Sequence, residues 1–391
     1  MQPDDPQQLP DPGPDALAHS RRVAASIAAR IDAAGGSLSF GEFMQHALYA
    51  PGLGYSAAAA RKCGADRDAL TAPDVSPLFP RVVARQFAPL LAAGGSVLEP
   101  GAGSGAFAVD FLRACEALDA LPARYAILEV SPELRERQQA LIERELPALA
   151  GRVEWLDGLP RAFRGVVVAN ELADALPVER FLRTADGVDE LRVARDGERF
   201  RWQRRPAGAV LAGAVAAIEA DLGRCLPDGY VSEVSPALAG WLAELAAGLD
   251  EALVLLFDYG LPRREYYAPE RSGGWLRCHF RHRAHDDPLI LPGIQDITAW
   301  VDFTAAAEAA HAAGLRVAGY QTQAEFLLHG GLVEEYEAFA GDDAARLELS
   351  RQVKLLTLPG EMGEHFKCLA LARGDVPLPA PLGIADRSHS L

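Results

Sequence analysis

The stretch VLEPGAGSGAF, residues 97–107, decides the fold. An apolar start leads into Gly101, Gly103 and Gly105, and a helical pattern follows to about Leu118. Glycines between a strand and a helix permit a tight turn and let a ligand approach the backbone. The helix beyond them begins with N–H groups that have no intrahelical acceptor. Read alone, the string also satisfies G-x-G-x-x-A, a dinucleotide fingerprint.

Working outward, the pattern is α/β. Ser76-Pro77 opens a helix that runs to about Leu91. Strands are expected at 96–99, 124–130 and 152–156, with a Ser131-Pro132 capped helix between the last two. GVVVA (165–169) and ALVLLF (252–257) are short apolar runs of the kind buried in parallel sheets. A helix at 304–313, a strand at 315–320 and a last strand at 365–372 complete the series. Alternating strands and helices imply a doubly wound sheet, with ligands at the C-terminal ends of its strands. Three carboxylates fall at those ends. Glu99 stands two residues before the first glycine, where an anionic pyrophosphate does not ask for it and a cationic sulfonium does. Glu129 ends the second strand, at the ribose hydroxyls of either cofactor. Asp157 follows the third, where it would flank an adenine. Their joint placement favours S-adenosylmethionine (SAM) over a nicotinamide; taken singly, each is also readable as a solvated turn acid.

The whole chain fits an enzyme of this size class. It has 391 residues, 49% hydrophobic, with 38 Lys+Arg against 54 Asp+Glu and a net charge of −16. The core is large enough to exclude global disorder, and the charge argues against a general nucleic-acid binder. Five scattered cysteines without a CxxC give no disulfide framework and fit a reducing cytoplasm. Lys occurs only at 62, 354 and 367, so Arg carries the basic charge, as GC-rich bacterial codon usage would give. The first fifteen residues have neither a signal-peptide nor a transit-peptide pattern, and no apolar run reaches the length of a membrane span.

Longer strings carry a resemblance. VLEPGAGSGAF, YAILEVSPELRERQ and VVVANELADALPVERF, with FMQHALYAPGLGYSA, LTAPDVSPLFPRVVARQ, FDYGLPRREYYAPERSGG, RCHFRHRAHDDPL, GIQDITAWVDFTAAAEAA and LTLPGEMGEHFKCLALAR, make the chain similar to the MidA family of SAM-dependent methyltransferases. These strings span about residues 40–373. The resemblance implies a class I Rossmann-like methyltransferase sheet with an antiparallel last strand, SAM as cofactor, and a protein arginine as acceptor. The family's mitochondrial members assemble respiratory complex I and dimethylate an arginine of one of its subunits. Two positions depart from the family pattern. Trp275 replaces the Thr of a usual GTL, and Trp300 replaces a usual His. These aromatics either reshape the acceptor pocket or mark a chain that binds SAM and methylates poorly.

Arginine methylation makes particular demands. A guanidinium is protonated at neutral pH, with a pKa above ~12, and a bidentate carboxylate fork pins it and localises its charge. The nucleophile must also be held close and aligned for in-line transfer. Asn170, Glu171 and Asp174 follow the GVVVA strand at the active edge; Glu171 is the expected clamp and Asp174 a second acid, although Asn170 and Glu171 also suit a turn cap. Tyr259, at the end of the ALVLLF strand, is a pocket wall or a core aromatic. His282, Trp275 and Trp300 are expected on the acceptor side. The stretch from Cys278 to Asp287 fits no zinc signature, so no metal is expected. The resemblance makes LTAPDVSPLF, with Thr71 and Pro73, a lid or cofactor contact, although the segment also suits capping of the Ser76 helix.

The expected organisation is a tail at 1–15, an N-terminal helical lid segment at 16–75, a methyltransferase domain of 76–175 and 250–373, an α+β insertion at 176–249 and a C-terminal tail at 374–391. A cytoplasmic protein with a protein substrate is expected, without nucleic acid or a membrane span, and a homodimer is compatible with it.

Overall fold

The two apolar runs become the centre of a parallel sheet, because strands covered on both faces need apolar residues on both. In the computed structural model, which describes residues 9–56 and 71–391, seven strands form it: β1 (Ser96–Pro100), β2 (Tyr125–Leu128), β3 (Val153–Leu156), β4 (Phe163–Asn170), β5 (Leu249–Leu261), β6 (Arg316–Thr322) and β7 (Phe366–Arg373). Their order is β3-β2-β1-β4-β5-β7-β6. The first five are mutually parallel. β7 runs antiparallel to both β5 and β6, between them. A two-residue strand, Val301–Asp302, adds to the end of β5. From β1 the strand order runs one way to β2 and β3 and the other way to β4 and β5, so a crevice opens at the C-terminal ends of β1 and β4.

Helices Leu78–Ala92, Ala106–Ala117 and Gln323–His329 pack on this sheet. Phe257 of β5 is fully buried between two of them, edge-on to Phe79 at 5.0 Å and to Phe326 at 5.1 Å. Each such ring pair adds about 0.5–1.5 kcal/mol beyond the burial itself. Gly165 is obligatory in β4: with φ +143°, a Cβ there would stand 1.9 Å from the Ser96 carbonyl oxygen of β1.

Among the described residues, 71–173, 239–262 and 301–391 form one unit around this sheet, and 9–56, 174–238 and 263–300 form a second. The second unit is antiparallel. Its larger sheet holds Ser37–Leu38, Glu179–Thr184, Gly187–Asp196, Arg199–Pro206 and Val231–Val234. The hairpin expected around Asp196-Gly197 is part of it. A smaller sheet joins Leu276–Phe280 to Arg283–His285 and Asp296–Ala299. Helices Pro14–Ala33 and Phe40–Tyr49 supply Val23, Ile27, Phe40, Phe43 and Met44 to this core. The Glu179 carboxylate accepts from Ser39 Oγ at 2.9 Å and from Gly41 N at 3.3 Å, just where Ser39 caps the second helix.

The division differs from the sequence-based one. Residues 263–300 were expected with the large sheet, and they cluster with 174–238 because they form their own small sheet. The N-terminal helices join that unit too: Ser37–Leu38 pairs with Val193–Ala194. The C-terminal segment is no loose tail. Leu382 is buried, Asp386 Oδ1 accepts from Tyr320 N at 3.0 Å, and Arg387 bridges Glu325 at 2.7 Å and Glu364 at 3.1 Å. Most of the expected N-terminal tail, and residues 57–70 of the expected lid segment, lie outside the described residues.

Candidate active site

β1 ends at Pro100 and the glycines follow, all three with positive φ: +72° at Gly101, +53° at Gly103 and +81° at Gly105. That is the left-handed region, which side chains disfavour. A Cβ on Gly103 would meet nothing within 4 Å, so the loop has room in front of its backbone. On Gly101 it would stand 2.8 Å from Leu172 Cδ1, and on Gly105 it would press on Gln138. Backbone bonds hold the turn: Gly101 N donates to Leu128 O at 2.9 Å, and Gly105 N to Ala102 O at 2.8 Å.

The acids stand at the strand ends as read, but in different environments. Glu99 is buried, and Tyr125 Oη donates to its Oε2 at 2.6 Å. Burial pushes this carboxyl up to about 8, with the Tyr125 bond opposing and the neighbouring Glu129 adding to the rise. Glu129 is also buried and raised, chiefly by desolvation, with N–H donors from Ser131 and Gln138 opposing. Asp157 by contrast is open to solvent and paired with Arg135 at 2.9 Å.

A clasp lies beside the loop. Ser104 Oγ donates to Asp74 Oδ1 at 2.7 Å, and Thr71 Oγ1 donates to Asp74 Oδ2 at 2.8 Å. Thr71 is thus tied to the glycine loop through Asp74, and Pro73 is buried in the same short helix, Ala72–Val75. The clasp reaches the fourth strand too. Glu171 Oε1 accepts from Ala72 N at 3.2 Å and from Asn170 Nδ2 at 3.3 Å. Glu171 has φ +49°, an unusual conformation for a residue with a side chain, and strain of this kind clusters at functional sites. Asn170 Oδ1 is buried and has no hydrogen-bond partner among the described residues. A buried acceptor left this way asks for a donor.

Two further residues at this sheet are placed. Asp258 is fully buried at the end of β5, where its Oδ2 accepts from Ala173 N and its Oδ1 from Tyr259 N, each at 2.9 Å. Tyr259 is edge-on to Phe366 at 5.0 Å.

The remaining expected residues lie in the second unit. Asp174 is buried there and its carbonyl accepts from Ala299 N. Trp275 and Trp300 stack on each other, with centroids 4.4 Å apart and planes 19° off parallel. Trp275 is buried: its indole donates to Tyr266 O, its backbone N donates to Glu233 Oε2, and Arg271 lies over its ring at 4.6 Å. His282 is exposed, at φ +62° in the tight turn between Phe280 and Arg283. Cys278 is buried in the hydrophobic core of this unit. Among the described residues no group of three or more His, Cys, Asp or Glu is arranged to hold a metal.

Sequence reading missed Gln138, Ser104 and Leu172. Gln138 had one signal: with Ile142 it forms the i, i+4 buried pair of an otherwise polar helix, Pro132–Glu145. Ser104 lay in plain view within the glycine string.

The sheet order, the glycine loop after β1, the acid after β2 and the antiparallel β7 together define a SAM-dependent methyltransferase fold. NAD-binding Rossmann sheets lack that last strand. The comparisons agree. The model of a family of S-adenosyl-L-methionine-dependent methyltransferases matches residues 82–321, more than half of the chain, and the chain belongs to that family. A Burkholderia thailandensis crystal structure bound to S-adenosylhomocysteine is similar at 42% identity with a TM-score of 0.92, covering 98% of this chain and 100% of that one. Its native counterpart, at 40% identity, gives 0.90. Among curated proteins, the chain is 28% identical to Protein arginine methyltransferase NDUFAF7, mitochondrial, of Danio rerio, over 89% of this chain and 86% of that protein. The Homo sapiens protein of that name is 26% identical, over 86% and 80%.

SAM is therefore the cofactor, and this chain is an enzyme of the methyltransferase class. The residues present fit it: a glycine loop with open space in front of its backbone, and two buried acids at the adjoining strand ends. When bound, SAM supplies an electrophilic methyl on its sulfonium. The chain's part is to hold that methyl in line with an acceptor and keep water away.

Proposed function

We propose that this chain transfers methyl groups from SAM to arginine side chains of a protein substrate. The observation that carries the reading is the similarity to named protein arginine methyltransferases over more than four-fifths of the chain. The polar edge after β4 suits it chemically. In this reading Glu171 pins the guanidinium, and Asn170 Oδ1, a buried acceptor with no partner among the described residues, takes one of its N–H groups. Glu99, Gly101, Gly103, Gly105, Glu129, Asp157, Thr71 and Pro73 line the cofactor, and Tyr259 faces the acceptor. On the family resemblance, a respiratory complex I subunit in a bacterial cytoplasm is the first substrate to try. No helix among the described residues is long and apolar enough to cross a membrane.

The test is turnover. Incubation with methyl-labelled SAM and host lysate, followed by mass spectrometry, should find label on arginine; label on lysine, RNA or a small molecule overturns the acceptor. Glu171→Gln keeps an acceptor oxygen for Ala72 N but loses the charge. It should abolish transfer and leave SAM binding within a few-fold, and retained transfer removes Glu171 from the role. A second reading, a SAM-binding assembly factor with little turnover, draws on the Trp275–Trp300 stack, and it predicts SAM binding without label in any substrate.

A further inference from the structure

Gln138 has no exposed surface, yet it is polar. Its amide reaches three different elements. Nε2 donates to the Gly103 carbonyl at 3.0 Å and to Glu129 Oε2 at 3.1 Å. Oε1 accepts from Trp155 Nε1 at 3.0 Å, on β3. An indole N–H can only donate, so the amide oxygen must face Trp155, and Nε2 must face the two acceptors. The orientation follows from the partners alone. The other oxygen of Glu129 is held by Ser131 N at 3.0 Å. With the Val130 backbone the carboxylate thus has three donors from the protein, which leaves part of its acceptor capacity for a ligand. Turning the carboxylate about its axis would break both bonds in a buried site, where a lost bond to a charged group is costly.

We infer that Gln138 is a positioning residue: it locks the Glu129 carboxylate against the glycine loop, so that the site demands a cofactor bearing a ribose hydroxyl there. The inference rests on the SAM reading of this loop and adds a source of selectivity to it. A site built to bond hydroxyls rejects an analogue without them, because its buried acceptors are left unpaired. The same amide couples that acid to the glycine loop, so the ribose and loop contacts form together.

The experiment is calorimetric binding of S-adenosylhomocysteine and of its 2′,3′-dideoxyribose analogue to the full chain. The unaltered protein should prefer the natural ribose strongly. Gln138→Met keeps the volume and removes the donors. It should weaken the natural ligand about 10- to 100-fold, as loss of a bond to a charged group does, and change the dideoxy analogue less than ~3-fold, a ratio a merely structural defect would not produce. On a Glu129→Gln background the same change should cost nothing further. Trp155→Phe leaves Nε2 in place and frees the amide to turn; it should show the same collapse of preference, smaller in size, and it carries the test if Gln138→Met fails to fold. Equal losses for both ligands, or losses that add to those of Glu129→Gln, overturn the inference. If the unaltered chain binds neither ligand, the SAM reading itself fails, and this is seen before any variant is made.

Discussion

Glu99 shows how one side chain links cofactor, proton and stability. With its carboxyl raised to about 8, the ligand-free folded chain keeps a proton that the unfolded chain releases near its ordinary value. The folded state then binds more protons over that window, so stability falls as pH rises from about 4.5 towards 8 and levels off above. In the proposed site Glu99 meets a cationic cofactor, and that contact needs the ionised form. SAM affinity should therefore rise with pH, by up to ~10-fold per unit below about 8, and binding at pH 7 should release close to one proton. Calorimetry in buffers of different ionisation enthalpy reads that proton directly. Glu99→Gln should abolish the release; an unchanged release would assign the proton elsewhere. Gly101 makes the complementary point about backbone: φ +72° and a Leu172 methyl at 2.8 Å from any Cβ leave no other residue there without strain.

The two tryptophans show that departures from a family pattern can be one event. Trp275 lies just before the strand Leu276–Phe280 and Trp300 just after the strand Asp296–Ala299, and these two strands pair. Their stacked rings make each the other's environment. Trp300→His alone should strip one face of a buried indole, and Trp275→Thr alone should orphan its partner. The double change to the usual family residues should cost less than the sum, with a coupling of about 0.5–1.5 kcal/mol in denaturant unfolding. Strict additivity would show that the two positions are independent. The elements legible in the sequence were those with an unambiguous period: the buried runs GVVVA and ALVLLF, and the capped helix at Ser131. The strands Glu179–Thr184 and Val231–Val234 were not, because ERFLRT and VSEV place few apolar residues in short spans. The helices between residues 323 and 357 escaped notice because Leu328, Leu347 and Leu355 are exposed, which blurs their apolar face. At the site, the glycines and strand-end acids were readable from position. Gln138 was not, because its role comes from three partners distant in sequence.

For the molecule as a whole, the surplus length over the sheet is not a set of decorations. Segments from three places in the chain build a second unit with its own core. The net charge of −16 suits a basic acceptor protein approaching by electrostatic attraction, an effect that salt would weaken. Cys115, Cys278 and Cys368 are buried, and burial raises all three thiols above their ordinary range. Such thiols are poor nucleophiles.

The place of β7 has a consequence for biosynthesis. β5 finds β4 on one side at once, but its other neighbour is β7, about a hundred residues later. At ~5–20 residues per second, the ribosome leaves the edge of ALVLLF waiting for roughly 5–20 seconds. β6 emerges meanwhile and has nothing to pair with. An apolar strand edge kept open is a template for another chain. A product ending before Phe366 should therefore aggregate as it is made, and sedimentation of the translation products would show it; a soluble, monodisperse product would mean that something else covers the edge. The newborn enzyme depends, for those seconds, on whatever shields a half-built sheet.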